Sequence, residues 1–73
     1  LQMYPNPATT SINFKSNETI TQIKVLNQLG QVILVNTIND NQFSINVDGL
    51  QKGQYFVTLQ SDNNLITKIF IKN

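Results

Sequence analysis

The chain has no cysteine, no histidine and no tryptophan, and only 12% of its 73 residues are charged. Without cysteine no disulfide can form, and without histidine as well a structural zinc has no ordinary ligands. Cysteine usage does not settle the compartment. A net charge of +1 offers neither a nucleic-acid footprint nor a polybasic patch for an anionic membrane. No apolar run approaches the roughly 20 residues that a membrane helix requires. A secretory leader is also missing, and the first residue is Leu1 rather than Met. The chain therefore reads as a fragment of a longer protein, any leader having been removed or lying upstream.

What remains is one small domain. At this mass, 8.3 kDa, area scaling gives roughly 12,000 Å² for the extended chain and about 4,600 Å² folded, so about 60% is buried. That is marginal for independent stability. The polar surface is carried by Asn, Gln, Ser and Thr rather than by charge.

The stretch from Leu50 to Leu59 organises the reading. A turn ending at Gly53 feeds a strand in which Tyr55, Val57 and Leu59 alternate with Gln54, Thr58 and Gln60. Alternation sends the two sets to opposite faces of a sheet. The Leu-turn-Gly-x-Tyr entry also suits a tyrosine corner, in which the phenol hydroxyl ties back to upstream backbone.

Six further strands are expected. Leu1 to Tyr4 is short and stops at Tyr4-Pro5-Asn6-Pro7-Ala8, where two prolines remove two donors and make a rigid, non-pairing corner. Ile12 and Phe14 alternate in the second strand, and Ser16-Asn17-Glu18 is read as a loop. Ile20 to Asn27 is the third, with Ile23 and Val25 inward. Gly30 then supplies the positive φ of a hairpin into Gln31–Thr37, whose apolar run Val32-Ile33-Leu34-Val35 has no determined facing. A turn at Asn39-Asp40-Asn41 precedes the alternating strand Phe43, Ile45, Val47. In the last strand, Leu65 to Lys72, Ile69 and Ile71 are the better core face, placing Lys68, Phe70 and Lys72 outside. About seven short strands with frequent turns predict an all-β, immunoglobulin-like antiparallel sandwich.

Catalytic chemistry is hard to assemble from this chain. Glu18, Asp40, Asp48 and Asp62 all lie in or beside turns and none is paired in sequence, so no positioned acid or base is apparent. The three aspartates lack the spacing of a calcium loop and are explained as turn formers. Asn17-Glu18-Thr19 is a glycosylation sequon of the kind that arises by chance in an Asn- and Thr-rich chain. Neither an enzyme nor a metal or cofactor site is expected.

Several segments together resemble the C-terminal sorting domain of type IX secretion cargo in Gram-negative bacteria. The resemblance is carried by Tyr4-Pro5-Asn6-Pro7-Ala8, by Ile23, Val25, Leu29-Gly30 and Val32, by Leu50-x-x-Gly53-x-Tyr55-x-Val57, and by Lys68-Ile69-Phe70-Ile71-Lys72. It covers essentially all of residues 1–73, read as a single sorting domain. The sequence departs from the family pattern at Gln31, where a basic residue is frequent, and at Gln51-Lys52, where a proline often precedes the glycine.

The resemblance implies a non-catalytic export address. An outer-membrane translocon would read it behind an N-terminal passenger, and a sortase-like surface peptidase would process it upstream of Leu1. The protein would pass through the periplasm to the cell surface or the medium. Lys68, Phe70 and Lys72 are the candidate recognition ridge, since an aromatic between two cations suits an interface anchor. Nucleic acid is not expected as a partner, and dimerisation through strand edges stays open. The rival reading is an accessory carbohydrate-binding or adhesive module of an extracellular enzyme, with Phe56 and Phe70 as its only free aromatics. A plain structural spacer fits the composition equally well.

Overall fold

Ile12 and Phe14, then Ile23 and Val25, each alternate with polar residues, and all four side chains are fully buried. They belong to one strand. In the computed structural model, which describes all of residues 1–73, β2 runs from Ser11 to Leu26 without a break. The other strands are β1 (Gln2–Tyr4), β3 (Val32–Asn46), β4 (Gly53–Ser61) and β5 (Leu65–Lys72). There is no helix. The all-β expectation holds, but five strands replace the expected seven.

The difference has a local cause. Ser16-Asn17-Glu18 does interrupt regular pairing: Lys15 pairs with Gln42 and Ile20 with Asp40, so Ser16 to Thr19 stand opposite Asn41 alone. Asn39 takes a positive φ of 62°, and the Asp40 carboxylate accepts bonds from the Asn41 and Gln42 amides at 2.7 and 3.2 Å. These are turn-forming devices, yet the chain does not reverse. They make a wide bulge, which bends both strands and increases their twist. Two pairs of expected strands thereby become two long bent ones.

All five strands pair antiparallel, in the order β1-β2-β4-β5, with β3 on the other side of β2. The first half of β2 pairs with β1 and the end of β3. Its second half pairs with β4 and the start of β3. Both halves contribute to a single core cluster that includes Ile12, Phe14, Ile45, Ile23, Val25, Val57, Leu59 and Phe70. The sheet is therefore curled about one core, in place of two separate sheets. Its exposed area, 4539 Å², matches the area-scaling expectation. Cross-strand partners Phe14 and Phe43 stack at 5.1 Å, and Tyr55 and Phe70 at 5.3 Å.

Glu18, within the bulge, spans to the β4–β5 hairpin. The Ser61 hydroxyl donates to one carboxylate oxygen at 2.6 Å, and the Asn64 amide donates to both at 2.8 and 3.1 Å. These bonds hold the Glu18 carboxyl below its ordinary value of 4.5, the serine contributing most, against a smaller upward push from burial. A depressed folded value adds stability that is complete above the unfolded value and disappears as pH falls through the folded one. Melting temperatures taken from about pH 6 down to about pH 3 should therefore fall more steeply for the wild type than for Glu18→Gln. Parallel curves would remove this link between bulge and hairpin.

Candidate recognition end and outer face

Proline cannot donate to a sheet ladder, so the Pro5–Pro7 segment has only Asn6 with which to pair. Its side chain does so. Asn6 Nδ2 donates to the Ile69 carbonyl at 3.2 Å, and Asn6 Oδ1 accepts from the Ile71 amide at 2.9 Å. Ala8 continues the pairing: its amide donates to the Ile71 carbonyl at 2.7 Å, and its carbonyl accepts from the Asn73 amide at 2.8 Å. A parallel bridge between Ala8 and Lys72 results. Both X-Pro bonds, Tyr4–Pro5 and Asn6–Pro7, are cis. The corner expected to be non-pairing is thus a clamp on the outer edge of β5, because an amide side chain can imitate a peptide unit.

The central turn arrives at the same end of the molecule. Tyr55 Oη donates to the Gln51 carbonyl at 2.6 Å, which is the expected tyrosine corner. Gly53 has φ +147°, a conformation that L side chains rarely adopt, while the space around it is open. Beside it, the Lys72 ammonium donates to the carbonyls of Leu50 and Asn73, each at 3.1 Å. The Asn27–Gly30 turn lies close by, sharing a shallow depression with Gln51, Gly53 and Tyr55. There Gly30 has the expected positive φ, 83°, and Asn27 Oδ1 accepts from the amides of Leu29 and Gln31. Tyr4, Pro5, Asn6, Pro7, Gly30, Leu50, Gly53 and Tyr55, far apart in sequence, are collected at one end. Val57 lies one turn deeper, fully buried.

The ridge of Lys68, Phe70 and Lys72 does not exist as an outer feature. These three do share a face, but β5 pairs Phe70 with Tyr55 and Lys68 with Val57, and both partners point inward. Phe70 is fully buried and Lys72 is 7% exposed; only Lys68 remains open to solvent. Ile69 and Ile71 are outside instead, at 47% and 39% exposure. Leu65, Ile69 and Ile71 make the other face the more apolar one in sequence, against Ile66 and Phe70 with two lysines. A stacking partner and two carbonyls for a buried ammonium outweigh that difference.

The register defines what the outer face presents. Ile69 pairs with Phe56, Phe56 with Leu26, and Leu26 with Val32, so one apolar row crosses β5, β4, β2 and β3. Ile71 and Val35 extend it at either side. Next to it lies a groove of about 570 Å³ lined by Gln22, Lys24, Thr58, Gln60 and the Asp62–Asn64 turn. Its lining is mostly amide and hydroxyl, with no carboxylate facing a base. Tyr4 is the only aromatic among the strongly exposed large apolar residues. Periodicity alone could not have shown this row, because it depends on cross-strand register rather than on any one strand.

What this geometry builds is a small curled β-domain whose first segment is hydrogen-bonded to its last strand. Residues 2–73 match the family model described as the secretion system C-terminal sorting domain, and the chain belongs to that family. It is accordingly a non-catalytic sorting domain of type IX secretion, destined for the cell surface or the extracellular space. The chain is also 34% identical to β-agarase A of Zobellia galactanivorans over 73 residues, which is 96% of this chain and 13% of that protein.

Replacing Asn6 by Ala removes two bonds at an exposed edge and should cost about 1–2 kcal/mol in a denaturant melt. Tyr55→Phe, which leaves the ring stack but orphans the Gln51 carbonyl, should cost about 1–2 kcal/mol. Phe70→Ala should cost about 3–5 kcal/mol, as core truncations of aromatics do. If Phe70→Ala melted like the wild type, the inward assignment of β5 would fail.

Proposed function

We propose that the domain is read in its folded state by an outer-membrane type IX translocon, with the apolar row on the outer face as the surface read. On this reading the domain is an address attached behind a passenger protein. A sortase-like surface peptidase processes it upstream of Leu1. The observation that carries the reading is the row from Ile69 through Phe56 and Leu26 to Val32. Ile69 and Val32 are half-exposed and Phe56 and Leu26 partly so, all outside the core cluster, and contiguous apolar surface of this kind marks contact with a partner. The buried members of the family motifs make the fold, whereas Val32 and Ile69 belong to the row itself and Ile71 borders it.

A glycan-binding role would call for exposed aromatics set out as a platform. Phe70 is buried and Phe56 is half-buried, so no observation favours it.

The test is a fusion of the chain behind a signal peptide and a fluorescent passenger, expressed with and without the translocon. Ile69→Ser with Ile71→Ser should lower export at least about tenfold, the scale set by losing a few kcal/mol of interface contact. The melting temperature of the domain should fall much less than for Phe70→Ala, because both side chains are about half exposed and lie outside the core. Export at the wild-type level by the double variant would refute the outer-row reading. Export that persisted without the translocon would refute the route itself.

A further inference from the structure

The molecule treats its sheet edges unequally. The outer edge of β5 is covered by Asn6 and Ala8 over residues 69 to 73. β1 is only three residues long. β3, at 15 residues, pairs with β2 on one side and with nothing on the other. An open edge presents a row of unpaired amides and carbonyls, which proteins ordinarily guard with lysine, proline, inward charge or brevity. From Gln31 to Asn39 the edge has no charged residue, no proline and no glycine. Val32, Ile33 and Val35 are 50%, 40% and 49% exposed along it, and Leu29 in the preceding turn is 84% exposed.

We infer that the first half of β3 is an interface for a second copy of this chain, joined edge to edge as antiparallel strands about a two-fold axis. Side-chain facing and charge both fit that occupant. Residues paired across an antiparallel ladder lie on the same face, so in self-pairing an outward residue must meet an outward one. A residue, rather than a gap between residues, therefore sits on the axis. With the axis at any of residues 35 to 37, the nearest charge, Asp40, falls opposite a position between 30 and 34. None of those is charged, so no like charges meet. A single strand edge makes a small interface, so the dimer is weak and concentration-dependent.

Sedimentation of the 73-residue chain, whose core is made entirely from its own residues, reads this directly. The wild type should dimerise below about 1 mM, and Ile33→Lys with Val35→Lys should raise the dissociation constant at least about tenfold. Unchanged circular dichroism would confirm that the variant is folded. Because the chain has no cysteine, single cysteines give a second reading without background. Opposed Cα atoms about 4.5–5.5 Å apart can be bridged. Val35→Cys, Asn36→Cys and Thr37→Cys are compared with Asn63→Cys in the distant β4–β5 turn. Disulfide dimers from any of the three, above the Asn63 control, support the interface. A wild type that stays monomeric to about 1 mM, a dimer that survives the two lysines, or cross-linking no better than the control would overturn it. Export of a fused passenger is a separate measurement. Loss of export in the lysine variant of a strictly monomeric chain would assign the edge to the export machinery and overturn the second copy.

Discussion

The fold depends on the closure made by Asn6 and Ala8 against the last strand. Without it, β5 would be a short edge strand held on one side only, with Phe70 and Lys72 drawn into the core by cross-strand pairing to β4 alone. With it, the strand is bonded on both sides over residues 69 to 73. The inward facing of β5 then follows: Phe70 meets Tyr55, the Tyr55 hydroxyl fixes Gln51, and the Lys72 ammonium bonds the Leu50 carbonyl next to it. Each contact is modest by itself. Together they share partners, so each removes freedom that the next would otherwise have to overcome.

This arrangement explains why the motifs resist a chemical interpretation. Tyr-Pro-Asn-Pro near the start, Leu-x-x-Gly-x-Tyr in the middle and the lysine near the end look like a dispersed site. They are a dispersed joint. In a domain of this size, without cysteine or metal, the terminal joint takes over part of the role that a disulfide has in other small exported domains. The surface left for a partner is then defined by exclusion. It consists of side chains that face away from the joint and the core, chiefly the apolar row on the outer face and the open edge of β3.

Much of the architecture was legible in the residues. Alternation set Ile23 and Val25 inward and Tyr55, Val57 and Leu59 on one shared face, and all five are buried; of the alternating Phe43, Ile45 and Val47, the last two are buried and Phe43 is half-buried. The Gly30 hairpin and the tyrosine corner were legible too, since each rests on chemistry local to a few residues. Two things were not. Turn-forming residues at 16–18 and 39–41 read as chain reversals because a sequence shows the preference for positive φ and local side-chain bonds. It does not show whether the flanking segments continue in one direction. The facing of β5 was misread because both of its faces are apolar, and the deciding partners, Tyr55 and Asn6, lie 15 and 64 positions from Phe70. The outer row was invisible for a related reason, as it exists only once the register of four strands is known.

The bonds between Asn6 and the last strand join residues 63 and 65 positions apart in a chain of 73. Contacts of that separation are the slowest to form, since nearly the whole chain must be ordered or looped before they return any free energy. Hairpins such as β4–β5 need far less chain and can form first. The closure is therefore a last step, available only to a chain whose final strand has been made and is intact through Asn73. A molecule shortened by a few residues there would lose the partners of Ala8 and leave its edge open. A receptor that selects the folded outer face therefore also selects molecules in which the last strand is present and closed.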